Sequence, residues 1–145
     1  MKRYRTLTRE ELEEVESDLI QFLAESGVTA GDWERWKAAD DPRVGELIES
    51  FSEGFWDRAT SKITYLERRS EHEAWLFHFG AHEAHLLRCV VDASSGTAEW
   101  YEGAKSFEEE ARGREIFLLL EQGAQPVDEA RWNAVVAAKN GVHLN

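Results

Sequence analysis

Alternating aromatic residues before a Gly-Ala pair most limit what this chain can fold into. In residues 71–79, Trp75, Phe77 and Phe79 occupy every second position. Side chains at alternate positions of a β-strand point to the same face of the sheet. The run therefore predicts a strand that buries one aromatic face.

A short turn connects this strand to a second apolar run over 82–92. Gly80-Ala81 suits a two-residue hairpin turn, because glycine accepts positive φ without steric cost. That turn predicts three pairs on the aromatic face: Phe79 with His82, Trp75 with Leu86, and Glu73 with Arg88. It predicts three more on the opposite face: His78 with Glu83, Leu76 with His85, and His72 with Cys89. The pairing sets aromatic against aliphatic side chains and a carboxylate against a guanidinium, which stabilises neighbouring strands.

Strand patterns on both sides extend this hairpin into an antiparallel meander. Residues 62–68 form the preceding strand, and residues 97–102 form the last one after a Ser-Ser-Gly turn. Helical spacing of apolar residues predicts five helices, over 9–25, 30–38, 42–59, 107–122 and 126–138. We therefore expect a single α+β domain over 1–145, with N-terminal helices, a four-stranded meander and two C-terminal helices packed on the sheet.

Helix start signals support these boundaries. Thr8 with Glu11 and Ser106 with Glu109 have the spacing of capping boxes, in which each side chain bonds the other residue's main-chain N–H. Thr29 is a favoured N-cap residue. Pro42 and Pro126 suit first helical positions, where the missing N–H removes no internal hydrogen bond.

Charge and composition exclude several classes of protein. The formal net charge of −12 argues against binding a nucleic-acid backbone or an anionic membrane surface, since both need a basic footprint. One cysteine cannot form an internal disulfide, which favours a reducing compartment. No signal peptide and no apolar run of the ~20 residues that a membrane span needs are visible. The sequence predicts a cytoplasmic protein.

Clustered histidines suggest a metal site as one alternative. Imidazole and carboxylate groups bind zinc and related metals, and three protein ligands leave an open catalytic position. The predicted hairpin places His78, Glu83 and His85 on one face. The fragment His82-Glu83-Ala84-His85 is one residue short of the zincin motif, so it does not support protease chemistry.

Six tryptophans favour a different use of the surface. Tryptophan is enriched at binding hot spots, although most of these rings should lie in the core. Trp36 and Trp100 have charged or polar neighbours and are expected to be partly exposed. Trp100 and Tyr101 lie on the last strand of the meander, an edge where a partner strand or a second copy could dock.

Short stretches along most of the chain carry a resemblance to known sequences. They are residues 4–12 (YRTLTREEL), 21–23 (QFL), 29–34 (TAGDWE), 47–52 (LIESFS), 65–69 (YLERR), 114–117 (REIF) and 122–124 (QGA). On these stretches the chain resembles a family of small, acidic, uncharacterised bacterial proteins, a domain of unknown function that opens with Tyr-Arg-x-Leu-Thr-x-Glu-Glu-Leu. The family has no assigned activity, so the resemblance implies a stand-alone domain and no particular reaction.

Three functions follow as hypotheses. The first is an interaction domain without catalytic activity or cofactor, which binds a protein partner or a second copy through Trp36, Trp100 and Tyr101. The second is a metal-binding protein or small metal-dependent enzyme that holds a divalent ion such as zinc. The third is an acidic decoy or immunity-type protein with a basic target, whose affinity would fall steeply with salt.

Overall fold

The computed structural model describes residues 3–143, with side chains through Gly141. The chain forms two compact units, Met1–Arg58 and Ala59–Asn145, here called the N-terminal and C-terminal units. The α+β class predicted from the sequence is confirmed. The single domain stays a prediction.

Four helices make up most of the N-terminal unit: α1 (Arg9–Glu14), α2 (Glu16–Glu25), α3 (Ala30–Ala38) and α4 (Pro42–Ser61), which runs on into the C-terminal unit. The predicted starts at Thr8 and Thr29 are confirmed, and both residues begin capping boxes. The prediction of one helix over 9–25 is wrong, because Val15 has φ −114° and ψ 29° and separates α1 from α2. Helical hydrogen bonds continue on both sides of this β-branched residue, so the break is confined to one position.

Packing in the N-terminal unit centres on α4. Phe51 is buried and its ring centroid lies 5.4 Å from that of Phe22. The segment that precedes α1 is bonded to α4: the Leu7 N–H donates to Ser52 Oγ at 2.9 Å, and the Tyr4 N–H donates to a carboxylate oxygen of Glu53 at 2.9 Å. These bonds satisfy main-chain donors that would otherwise be buried without partners.

Glu11 joins two parts of this unit through one carboxylate. It accepts hydrogen bonds from both terminal nitrogens of Arg5, at 2.6 and 2.9 Å, and from the Thr8 N–H, at 2.8 Å. Hydrogen bonds from Arg5 are the main reason that the pKa of Glu11 falls from 4.5 to about 2. Since the folded pKa lies below the unfolded one, the carboxylate stabilises the fold fully above about pH 4.5, and this contribution is lost as the pH falls through about 2.

We expect Glu11→Gln to lower the free energy of unfolding at pH 7 by about 1 kcal/mol, a modest value because both partners are about one-third exposed. The difference from the unaltered chain should shrink as the pH falls from about 4.5 toward 2. Urea denaturation across this pH range measures it, with the exposed Glu14→Gln as control. A difference that stays constant with pH would contradict the assignment.

A five-stranded antiparallel sheet forms the centre of the C-terminal unit. Its strands are β1 (Tyr65–Arg69), β2 (Glu73–Phe79), β3 (Glu83–Val91), β4 (Ala98–Ser106) and β5 (Gln125–Val127), in the order β4-β3-β2-β1-β5. The predicted meander is confirmed for β1 to β4. The fifth strand was not predicted, because it is only three residues long and contains a proline.

The predicted hairpin register between β2 and β3 is wrong by two residues. Phe79 pairs with Ala84 instead of His82, and Trp75 with Arg88 instead of Leu86. The turn residues are Ala81-His82, since the Gly80 N–H donates to the Glu83 carbonyl at 2.8 Å. The prediction that Gly80 adopts a positive φ is wrong. A Cβ at this position would lie 3.4 Å from the Glu83 carbonyl oxygen, at the border of ordinary van der Waals contact. A shift of two leaves every side chain on its predicted face.

The C-terminal helices also start later than predicted. Ser106 ends β4 instead of capping a helix, and a 3₁₀ turn (Glu109–Ala111) leads into α5 (Arg112–Glu121). Pro126 lies in β5, because an edge strand tolerates a residue without an N–H. Asp128 accepts the Arg131 N–H at 2.9 Å at the start of α6 (Glu129–His143), which extends beyond residue 138.

The two helices pack on opposite faces of the sheet. The α5 face has a core of Leu66, Phe79, Ala84, Ile116 and Ala124. The α6 face has a smaller core of Leu76, Leu87 and Val135. Among residues 3–143, no helix has the length and apolarity needed to cross a membrane.

Candidate functional site

The outer edge of β4 is the longer of the two edges of the sheet, at nine residues against three for β5. Hydrogen bonds flank the β3–β4 ladder at the pairs Asp92–Thr97 (2.8 Å) and His82–Phe107 (2.9 Å). Because main-chain groups alternate in an antiparallel ladder, odd-numbered residues of β4 bond to β3 and even-numbered ones point away from it. Within the described residues, no strand pairs with this outer edge.

Trp100 lies at this edge with its side chain toward α6. It is half-buried and packs against the core of Leu76, Leu87 and Val135. Its indole Nε1 is buried without a hydrogen-bond partner among the described residues. The ring therefore anchors β4 to the α6 layer, while the Trp100 main-chain groups face outward.

Tyr101 points to the opposite face of the sheet and is 47% exposed. The Arg88 guanidinium carbon lies 5.3 Å from the centroid of this ring and 4.6 Å from that of Trp75. Arg88 also forms an ion pair with Glu73. Two rings on one guanidinium fix the side chains of three neighbouring strands. We call Trp75, Arg88 and Tyr101 the Arg88 stack.

The hydroxyl of Tyr101 donates to a Glu99 carboxylate oxygen at 2.8 Å. That hydrogen bond is the main reason that the pKa of Tyr101 lies above its ordinary value. The phenol therefore stays neutral, and the Glu99 carboxylate is held on the same face, two residues along the edge.

Trp36, the third residue predicted for the interaction surface, belongs to the N-terminal unit. Its ring is half-buried, and the Arg43 guanidinium carbon lies 4.1 Å from its centroid. Trp100 and Tyr101 lie on opposite faces of β4. Trp36 therefore belongs to one unit and the Trp100–Tyr101 pair to the other, and within the C-terminal unit this pair lies on the longer edge of the sheet.

The histidine cluster has aromatic partners. His78, Glu83 and His85 lie on one face as predicted, but His78 pairs with His85 instead of Glu83. His78 stacks on Tyr65 with ring centroids 4.5 Å apart, and its centroid lies 5.4 Å from that of Trp132. His85 Nε2 lies 3.5 Å from Glu83 Oε1. In the described part of the chain, no three His, Cys, Asp or Glu side chains are grouped to hold a metal ion.

Cys89 lies on the same face, paired with Ala74 on one side and Trp100 on the other. Partial burial raises the pKa of its thiol above the ordinary value. A nucleophilic cysteine needs the opposite shift, because the thiolate is the reactive form.

Sequence reasoning found the edge strand and missed the Arg88 stack. The predicted pairing of Glu73 with Arg88 gives an ion pair, but a diagonal one, since Glu73 lies opposite Val90. The signal in the sequence was an arginine with aromatic residues on the neighbouring strands. These residues can be assigned to one stack only when the β3–β4 register is known, and no hairpin rule predicts that register.

One comparison with known proteins gives a match. The model of a family of unknown function, DUF6495, matches residues 1–96, more than half of the chain. The stretches near residues 114–117 and 122–124 lie outside the matched region. No curated protein and no solved structure matches the chain.

Proposed function

We propose that this chain, which belongs to the DUF6495 family of unknown function, is a protein-interaction domain that binds a second copy of itself through β4. The observation that carries this proposal is a nine-residue terminal strand with outward main-chain groups at Ala98, Trp100, Ala104 and Ser106. Such an edge is a template for adding an antiparallel strand.

The two edges of the sheet are not equivalent. β5 is three residues long and includes Pro126, which has no N–H to donate. β4 is three times as long and has no proline. Strand addition is therefore favoured at β4.

The sequence of β4 is complementary to itself. In the antiparallel register that sets Glu102 opposite its own counterpart, Glu99 faces Lys105 of the partner subunit, and Tyr101 faces Gly103 of the partner subunit. This arrangement pairs opposite charges twice and covers each glycine with an aromatic ring. The two-fold symmetry of such a pair is that of the commonest protein dimers.

The one like-charge contact in this register is between the two Glu102 carboxylates, and an ion pair within each copy reduces their repulsion. Lys139 Nζ lies 2.6 Å from Glu102 Oε1, so each central carboxylate already has a cationic partner. Lys105 Nζ also lies 2.9 Å from both carboxylate oxygens of Glu115. It therefore links α5 of the same copy to the proposed interface.

A charge exchange tests this register. We expect Glu99→Lys to weaken self-association by about tenfold, because two attractive cross-strand pairs become repulsive. Lys105→Glu should do the same. The double variant Glu99→Lys/Lys105→Glu should restore association to within about threefold, because both pairs become attractive again. Sedimentation equilibrium over a concentration series measures the dissociation constants.

The exposed Glu71→Lys, which makes the same charge change in the β1–β2 loop, is the matched control. It should leave the association constant unchanged. Unaltered protein that stays monomeric at every concentration would contradict self-association. If the losses of affinity in the two single variants simply add in the double variant, with no recovery, the register is contradicted.

A further inference from the structure

A groove of about 1100 Å³ lies between α2 and α3 in the N-terminal unit. Its apolar lining includes Leu19, Ile20 and Leu23 of α2 and Trp33 of α3. Ile20 is 59% exposed, the most exposed large apolar side chain in the described residues. Together with Leu19, Leu23 and Trp33 it lines one continuous apolar surface, and such surfaces mark interaction sites.

The charges at the groove are mostly negative. Glu13, Glu16 and Glu34 lie at its rim, and Lys37 is the one basic residue there, with Nζ 3.1 Å from Glu34. The groove lining has three acidic residues and one lysine, for a net charge of −2. An occupant with apolar and basic groups would match both the lining and the rim.

We propose that this groove binds an amphipathic helix of a protein partner, with apolar side chains along one face and lysine or arginine on its flanks. The walls set its length: ten residues of α2 and nine of α3 are about 15 Å long at 1.5 Å per residue. A bound helix of about three turns would then present apolar residues at positions i, i+3 or i+4, and i+7. This proposal does not rest on self-association through β4.

A designed peptide tests the proposal on the full chain. The probe is a helical peptide of about twelve residues with leucines at i, i+4 and i+7 and lysines on both flanks. Fluorescence anisotropy of the labelled peptide should show saturable binding that weakens roughly tenfold between low and high salt. A peptide of the same composition in scrambled order, which has no apolar face, should bind at least about tenfold more weakly.

Two variants with the same charge change separate the groove from general attraction to an acidic protein. Ile20→Glu places a carboxylate in the groove and should weaken peptide binding roughly tenfold or more, although it makes the chain more acidic. Leu118→Glu makes the same change at an exposed leucine of α5 and should leave the affinity unchanged. Because both side chains are exposed, both variants should keep the melting temperature within a few degrees of the unaltered chain.

Three outcomes would overturn the proposal. The first is no saturable binding of the leucine–lysine peptide. The second is equal binding by the scrambled peptide or by Ile20→Glu, which would reduce the effect to net charge. The third is loss of self-association in Ile20→Glu without any peptide binding, which would assign the groove to a second copy of the chain.

Discussion

Replacing Ile116 with alanine should lower the free energy of unfolding of the C-terminal unit by about 3–4 kcal/mol, because the change leaves a cavity in the core. Ile116 is 0% exposed and packs with Leu66, also 0% exposed, and with Phe79. Urea denaturation measures the effect, and Ile116→Val should cost only about 1 kcal/mol.

Leu118→Ala is the matched control for this prediction. The leucine lies two residues along the same helix and is 42% exposed. Alanine is the best helix former, so the change should stay within about 0.5 kcal/mol. Equal losses at the two positions would contradict the placement of α5 against the sheet.

Replacing Arg112 with methionine should destabilise the same unit by about 3 kcal/mol, although methionine keeps much of the side-chain volume. The guanidinium donates to the main-chain carbonyls of Ile63 at 2.7 Å, Gly80 at 3.0 Å and Thr60 at 3.3 Å. It thereby connects the end of α4 and the segment before β1 to the β2–β3 turn. Without it, carbonyl groups lose a charged donor in a partly buried position.

Arg112 has no carboxylate in this network, and burial lowers its pKa below the ordinary value. The planar guanidinium reaches several carbonyls at once, which a single ammonium cannot do. Arg112→Lys should therefore recover less than half of the lost stability. The exposed Arg114→Met, on the same helix, should change it by less than about 0.5 kcal/mol. Full recovery in Arg112→Lys would contradict the proposed network.

Much of the fold could be predicted because local signals and the global pattern agree. The alternating rings of β2 specify one buried face. The predicted capping box at Thr8 and the predicted helix start at Thr29 lie where side chains can satisfy the first main-chain donors. The assignment of side chains to the two faces of the β2–β3 hairpin was also correct, because a register shift of two residues leaves each side chain on the same face.

The errors at the start of the C-terminal helices share a physical cause, because they depended on contacts distant in sequence. Pro126 is a helix-start signal in its local sequence, but it pairs with β1 as part of an edge strand. Ser106 has a capping spacing, yet pairing with β3 draws it into β4. Arg112 looks like an ordinary surface residue of a helix, and its carbonyl partners are more than thirty residues away in the chain.

The candidate site was predictable only in part for the same reason. Position as the last strand of the meander was enough to identify β4 as an edge. The direction of each side chain needed the register. Trp100 turned out to face the α6 core and Tyr101 the Arg88 stack, so the aromatic pair supports the edge from both faces.

Residue-resolved amide hydrogen exchange in dilute and concentrated protein tests self-association at β4 most directly. The outward N–H groups of Trp100 and Ala104 should exchange more slowly as the concentration rises, because they gain partners on the second copy. The inward N–H groups of Tyr101 and Lys105, which already bond to β3, should change little. Exchange at Trp100 and Ala104 that is independent of concentration would contradict the account.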